Sequence, residues 1–278
     1  MRFLRYYRNT FELSLLLIII FNIALTSIIP IRVFDQCMNL LLSISIFEYL
    51  RNNKLKIKKK TNFFDNFLSL LIILITLYKS FSTYTLDDKF IYFVFTLLLI
   101  SFLIINYSFK NILSNFKAIF LACLFPISKF IFIPLSIILT PISAIVTWFF
   151  LNIFGFNAYI KGQEIFIGNG GVDITFSCSG SEQIIFAISS MLVLNLLIPF
   201  KKINIFYIQI LLSCLITFSV NILRLCILAV FVHTYQSENF SIFDFLHGPK
   251  GSLVFTLIST LFCCEIYKKL YSLDRIIY

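Results

Sequence analysis

Runs of about twenty almost uninterrupted apolar residues, parted by short basic clusters, constrain this chain more than any other feature. A helix needs roughly 20 such residues to cross about 30 Å of hydrocarbon. The sequence offers runs near 13–31, 34–50, 64–82, 90–109, 131–157, 182–200, 204–232 and 250–267. Of its 278 residues 59% are hydrophobic and 13% charged, against about a quarter charged in a soluble domain. A water-soluble core could not hide that much apolar surface, because the outer face of each helix would be apolar too. The expected fold is therefore all-α, a polytopic transmembrane bundle of about eight helices in a single membrane domain. Within it, residues 1–117 carry no motif and residues 118–278 carry those that follow.

The net charge of +10 does not indicate nucleic-acid binding, because 16 of the 23 basic residues cluster at the ends of apolar runs. The clusters are Arg2, Arg5 and Arg8; residues 51–60; Lys110 and Lys117; Lys201 and Lys202; and Lys268, Lys269 and Arg275. That is the pattern left by retaining Lys and Arg in cytoplasmic loops. With the N-terminus inside, eight crossings put every cluster and the C-terminus inside, and put 85–89, 158–178 and 233–249 outside. The expected location is the cytoplasmic (inner) membrane. The first run follows a basic start but shows no clear small-residue cleavage site, so it reads as an uncleaved helix. Residues 118–160 are about twice the length of one span and contain Pro126, Pro134 and Pro141. They read as an interfacial or tilted helix followed by one crossing.

Residues 158–178 are the polar, Gly-rich exception. The centre at Asn169, Gly170 and Gly171, flanked by alternating apolar residues, reads as a hairpin-like turn on the outer surface. It leads into Cys178, Ser179 and Gly180 at the start of a helix. A thiol at a helix N-terminus meets the positive end of the dipole, which favours thiolate. The other cysteines, at 37, 123, 214, 226, 263 and 264, read as small apolar fillers. Arg224 lies inside the seventh run, with Asn221 three residues earlier on the same face. At that depth it should face the bundle interior, as an anion-binding group or as a structural ion pair, for example with Glu182. His247 precedes the last helix among glycines, and His233 ends the previous helix; either could be a surface residue, and His247 is the better acid/base candidate.

Cys178, Arg224 and His247 all fall at or near the outer ends of consecutive antiparallel helices, so they can converge. A thiol, an imidazole and a guanidinium are the parts needed for acyl transfer. Two other classes fit the residues. One is a transporter of a small anionic solute using Arg224 and Asn221, although no inverted repeat or polar path is evident. The other is a non-catalytic assembly subunit in which the same side chains are merely buried. No His/Asp/Glu grouping has metal-ligand spacing, and no cofactor is expected.

The order Cys-Ser-Gly at 178–180, Asn-x-x-Arg at 221–224 and His-x-x-x-Gly at 247–251 resembles the exosortase/archaeosortase family. The likeness extends from residue 172 over the last 110 or so residues. It implies a membrane-embedded cysteine protease or transpeptidase with its site on the extracytoplasmic side. Cys178 would be the nucleophile, His247 the acid/base and Arg224 the stabiliser of an oxyanion or substrate carboxyl. Ser179, Gly180, Glu182, Asn221 and Gly251 would support them or touch substrate. The partners implied are membrane lipid and exported proteins ending in a short motif, a transmembrane helix and a basic tail. Family members often continue with an apolar residue after Cys-Ser-Gly, where this chain has Ser181, Glu182 and Gln183.

Overall fold

The computed structural model describes residues 12–24, 33–52, 62–82, 90–107, 109, 115–168, 170–235 and 240–276. The basic clusters within 1–11 and 53–61, Lys110, the acidic loop 85–89 and Asn169 lie outside them. The described chain is a helical bundle with one small sheet. Its helices are α1 (Glu12–Ala24), α2 (Val33–Asn52), α3 (Phe63–Ser82), α4 (Ile91–Tyr107) and α5 (Phe116–Ile153). After the sheet come α6 (Ser181–Leu197), α7 (Ile203–Tyr235), α8 (Phe240–His247) and α9 (Pro249–Ile276). By length and composition α3, α5 and α7 can each cross a membrane. Large apolar side chains such as Phe63, Leu211 and Leu261 stay exposed on the helices, as lipid-facing surfaces require. The protein is a multi-pass, all-α membrane protein.

Two compact units divide the chain, Met1–Ile127 and Ser128–Tyr278. In the first, the helices are joined by polar side chains inside an apolar setting. Asn22 Nδ2 donates to Asn39 Oδ1 at 2.7 Å. Ser69 and Ser101 each donate a hydroxyl to the other's carbonyl, at 3.0 and 3.2 Å. Val94 and Leu98 are buried against Ile18, Phe21 and Ile73.

Helix α5 is one helix where an interfacial or tilted helix followed by one crossing was expected. It runs unbroken for 38 residues through Pro126, Pro134 and Pro141. A proline removes one N–H from the ladder and frees the carbonyl four residues back. Pro126 frees the carbonyl of Ala122, and the Thr96 hydroxyl takes it at 2.9 Å. A neighbouring hydroxyl is one of the devices that lets membrane helices tolerate proline.

In the second unit the predicted hairpin is a three-stranded antiparallel meander: β1 (Ala158–Lys161), β2 (Glu164–Ile167) and β3 (Gly170–Asp173). The additional turn is Gly162 and Gln163, with Gly162 at φ +66°. Gly170 and Gly171 belong to β3 rather than to the turn. A Cβ on Gly171 would sit 2.7 Å from the Phe166 ring, and one on Gly170 3.0 Å from Val232 Cγ1. The glycines therefore let β3 lie closely under an aromatic ring on one face and against α7 on the other. Ala158, Ile165, Ile167 and Val172 are buried with Ala144 and Leu151 of α5 and Leu225 and Leu228 of α7. Tyr159 and Phe166 stack on the opposite face, with ring centres 5.0 Å apart.

The segment 233–249, expected as a loop, holds the last turn of α7 and the whole of α8. At the other end of this unit, the Tyr267 hydroxyl bonds the Ile198 carbonyl. Asp274 Oδ2 accepts the Lys201 N–H at 2.6 Å, so α9 fastens the turn between α6 and α7.

Candidate active site

Cys178 ends a single 3₁₀ turn, Phe176–Cys178, that joins β3 to α6. Its N–H bonds the Thr175 carbonyl at 2.9 Å. Gly180 follows at φ +83°, a left-handed conformation that costs glycine nothing, and caps α6. A Cβ there would lie 2.8 Å from Asn221 Nδ2. The missing side chain thus serves two needs, the turn and the approach of α7. Asn221 uses that approach to donate to the Cys178 carbonyl at 3.0 Å. Ser143 of α5 donates to the Ser179 carbonyl at 3.0 Å. The Ser179 hydroxyl donates to the Phe176 carbonyl at 2.7 Å and receives the Ser181 N–H at 3.3 Å. Non-helical backbone buried in a membrane protein must find such partners, and here each of the three motif residues has one.

The thiol meets the imidazole directly: Cys178 Sγ lies 3.6 Å from His247 Nε2. Cys178 is 2% exposed, but Thr175, Phe176 and Ser177 beside it are exposed, so the sulfur lies just beneath the surface of the turn. His247 is the last residue of α8, and its ring stacks on Phe243 one turn earlier, with centres 5.3 Å apart and planes 15° apart. Gly248 alone separates it from Pro249, where α9 begins. A Cβ on Gly251 would fall 2.5 Å from the Leu246 carbonyl oxygen, so only glycine lets the first turn of α9 lie on the last turn of α8.

Arg224, 1% exposed, does not pair with a carboxylate through its hydrogen bonds. Its Nε donates to the Leu246 carbonyl at 3.0 Å and its Nη2 to the His247 carbonyl at 2.7 Å. The guanidinium fork thus takes the last carbonyls of α8, which have no partner within the helix. Its third nitrogen, Nη1, is buried with no hydrogen-bond partner among the described residues. Glu182 stands half-buried in the first turn of α6.

Burial alone would raise the Cys178 thiol. Hydrogen bonds from His247 and Thr175, with the positive charges of His247 and Arg224, outweigh it and hold the thiol below its usual 9.0. His247 is held above its usual 6.5 chiefly by its hydrogen bond to Cys178 and then by the thiolate charge. Burial and Arg224 oppose this, and Asp244 adds to it. Both shifts favour a thiolate–imidazolium pair.

The transmembrane exosortase family matches residues 34–264. The chain belongs to that family. No curated protein matches the chain, and neither does any solved structure. The exosortase match starts at α2 and ends inside α9, so it takes in the motif-free helices as well as the Cys178 region.

Within this exosortase, the sequence singled out the two side chains that touch, and the arginine and asparagine that hold their backbones. It did not single out Ser143, Thr175 or Phe243. Phe243 was open to detection as an i,i+4 neighbour of His247 once a helix was placed there. Ser143 was not, because a serine in an apolar helix gives no sign of which carbonyl it meets. His233 takes a different place from His247: its Nδ1 lies 3.1 Å from the Ile167 carbonyl, where it fastens the end of β2 to α7. Among the described residues no grouping of His, Cys, Asp or Glu could hold a metal ion.

Proposed function

We propose that this exosortase is a cysteine protease or transpeptidase. It cleaves the C-terminal sorting signal of exported proteins at the outer face of the cytoplasmic membrane and passes them to an acceptor. The observation that carries this reading is the 3.6 Å approach of Cys178 Sγ to His247 Nε2, in a setting that lowers the thiol and raises the imidazole.

The thiolate attacks the scissile carbonyl carbon, forming a C–S bond and placing the carbonyl electrons on oxygen. Arg224 supplies positive charge there, through the Nη1 left without a partner. Collapse of this intermediate breaks the C–N bond, and the leaving amine takes the proton from His247 Nε2. A thioester on Cys178 remains. An acceptor nucleophile, or water, gives its proton to His247 as it attacks, and the thiolate departs. The alternative of an anion carrier would use Arg224 as a solute ligand, but two of its nitrogens already hold the Leu246 and His247 carbonyls.

The deciding experiment follows the processing of an exported reporter in cells. The reporter carries the C-terminal motif, apolar helix and basic tail of a protein encoded beside this chain. Cys178→Ala is expected to abolish processing while the variant reaches the membrane in wild-type amount. Unchanged processing in that variant would refute the reading.

A further inference from the structure

The sheet has two edges, and the chain treats them differently. In the β2–β3 pairing the Ile174 N–H bonds the Gln163 carbonyl at 3.1 Å. Hydrogen-bonded pairs alternate along an antiparallel ladder. With the observed register, Val172 bonds Ile165 and Gly170 bonds Ile167. Gly171 and Asp173 are the intervening residues, so their N–H and C=O groups point to the outer edge of β3. Both residues are exposed, and among the described residues neither makes a hydrogen bond on that edge. The edge of β1 is closed where it begins. There the Ala158 N–H donates to Asn152 Oδ1 at 3.1 Å, and the Ala158 carbonyl accepts from Trp148 Nε1 at 2.9 Å and Asn152 Nδ2 at 3.1 Å. An open edge is a template for a further strand, and proteins usually cover one they do not use.

The direction of β3 identifies what it would pair with. Its first residue, Gly170, lies against Val232 and His233, whereas Cys178, beyond its end, is held by Asn221. Those positions are eleven residues apart on α7, about 16 Å along the helix. The strand therefore runs from the C-terminal end of α7 down to the thiol. An exported protein anchored by a C-terminal helix enters the membrane from outside in the same N-to-C sense.

Resting on the transpeptidase reading, we propose that the open edge of β3 binds the extended segment just before the scissile bond as an added strand parallel to β3. Main-chain hydrogen bonds to Gly171 and Asp173 draw the segment down to Cys178. Affinity then comes largely from the substrate backbone, and side-chain selectivity from alternate residues.

The test uses the full-length protein in cells and the reporter described above. Asp173→Pro deletes an N–H that the β2–β3 ladder does not use, at a position where an edge strand tolerates proline. Its processing rate is expected to fall at least tenfold, while alkylation of Cys178 by iodoacetamide is unchanged. Wild-type processing by Asp173→Pro overturns the proposal. If processing is then still lost in Cys178→Ala, the transpeptidase reading survives without it; if Cys178→Ala also processes the reporter, that reading fails as well.

Disulfide trapping decides the matter should the proline disturb the turn. Asp173→Cys in a Cys178→Ala background is paired with reporters bearing single cysteines at successive positions. Yields peaking at every second residue upstream of the scissile bond support the parallel strand. Peaks downstream of that bond, or no alternation, overturn it.

Discussion

The two compact units bury polar side chains in different ways. In Met1–Ile127 these side chains join one helix to another: Asn22 to Asn39, Ser69 to Ser101, and Thr96 to the carbonyl that Pro126 frees. In Ser128–Tyr278 some do the same, as Gln183 does with Ser252 between α6 and α9, but others hold backbone at helix ends and in the turn. Asn221 takes the Cys178 carbonyl, Ser143 that of Ser179, Arg224 those of Leu246 and His247, and His233 that of Ile167. The first pattern is the polar adhesion found between membrane helices. The second satisfies irregular backbone that is buried, where an unpaired peptide group would be costly. Removing a side chain in the first unit should therefore loosen packing. Removing one that holds backbone beside Cys178 or His247 should displace reacting atoms.

The largest effect that would sharpen this contrast is expected at Arg224. Lysine keeps the charge but offers one compact ammonium in place of a planar fork. Arg224→Lys cannot reproduce both the 3.0 Å bond to Leu246 and the 2.7 Å bond to His247. Processing of the reporter should fall roughly 100-fold, with the variant still in the membrane; mispositioning of reacting groups by about 1 Å has effects of that size. Processing within a few-fold of wild type would show that Arg224 acts through charge alone and that the clamp on α8 is unimportant.

A smaller effect follows from the thiol's titration. In the wild type, Cys178 should alkylate with a midpoint below pH 9.0, because the contributions of His247, Thr175 and Arg224 exceed burial. His247→Ala removes a hydrogen bond and a positive charge that both lower the thiol, and leaves the burial that raises it. The midpoint must then move up. Iodoacetamide labelling at pH 7 should slow by roughly tenfold for each unit of that rise. Processing in the wild type should be bell-shaped, rising with pH as the pair forms thiolate and falling as the imidazolium is lost. The two limbs belong to the coupled pair rather than to either residue. A midpoint unmoved by His247→Ala would mean that the 3.6 Å contact does not set the thiol's reactivity.

How far the sequence revealed this arrangement depended on the range of the signal. Cys178, Arg224 and His247 were legible because chain order and alternating crossings put them at one end of neighbouring helices. The class of fold was legible because apolar length is a local property. Three things were not. Helix α5 accommodates Pro126 with the help of a hydroxyl on Thr96, 26 residues before the carbonyl it takes. The three-stranded sheet was read as one turn, because Gly170 and Gly171 signal turn chemistry while serving close packing against Val232 and Phe166. The bonds of Arg224 to two backbone carbonyls were not foreseen, because they lie in a segment read as loop. Each of these depends on a partner distant in sequence.

The smallest effect concerns the first unit, and it tests the contrast from the other side. Ser69 and Ser101 exchange two hydrogen bonds between α3 and α4, remote in sequence from every residue at the thiol. Polar contacts of this kind between membrane helices contribute on average about 0.6 kcal/mol. Ser69→Ala removes one donor but leaves its own carbonyl able to accept from Ser101, so the loss should be near that average or below it. Unfolding in mild detergent, followed by protease sensitivity, should shift only slightly. Processing per folded molecule and the Cys178 alkylation midpoint should match the wild type. A change in either readout would mean that packing between α3 and α4 reaches the thiol, and the division of labour between adhesion in one unit and chemistry in the other would fail.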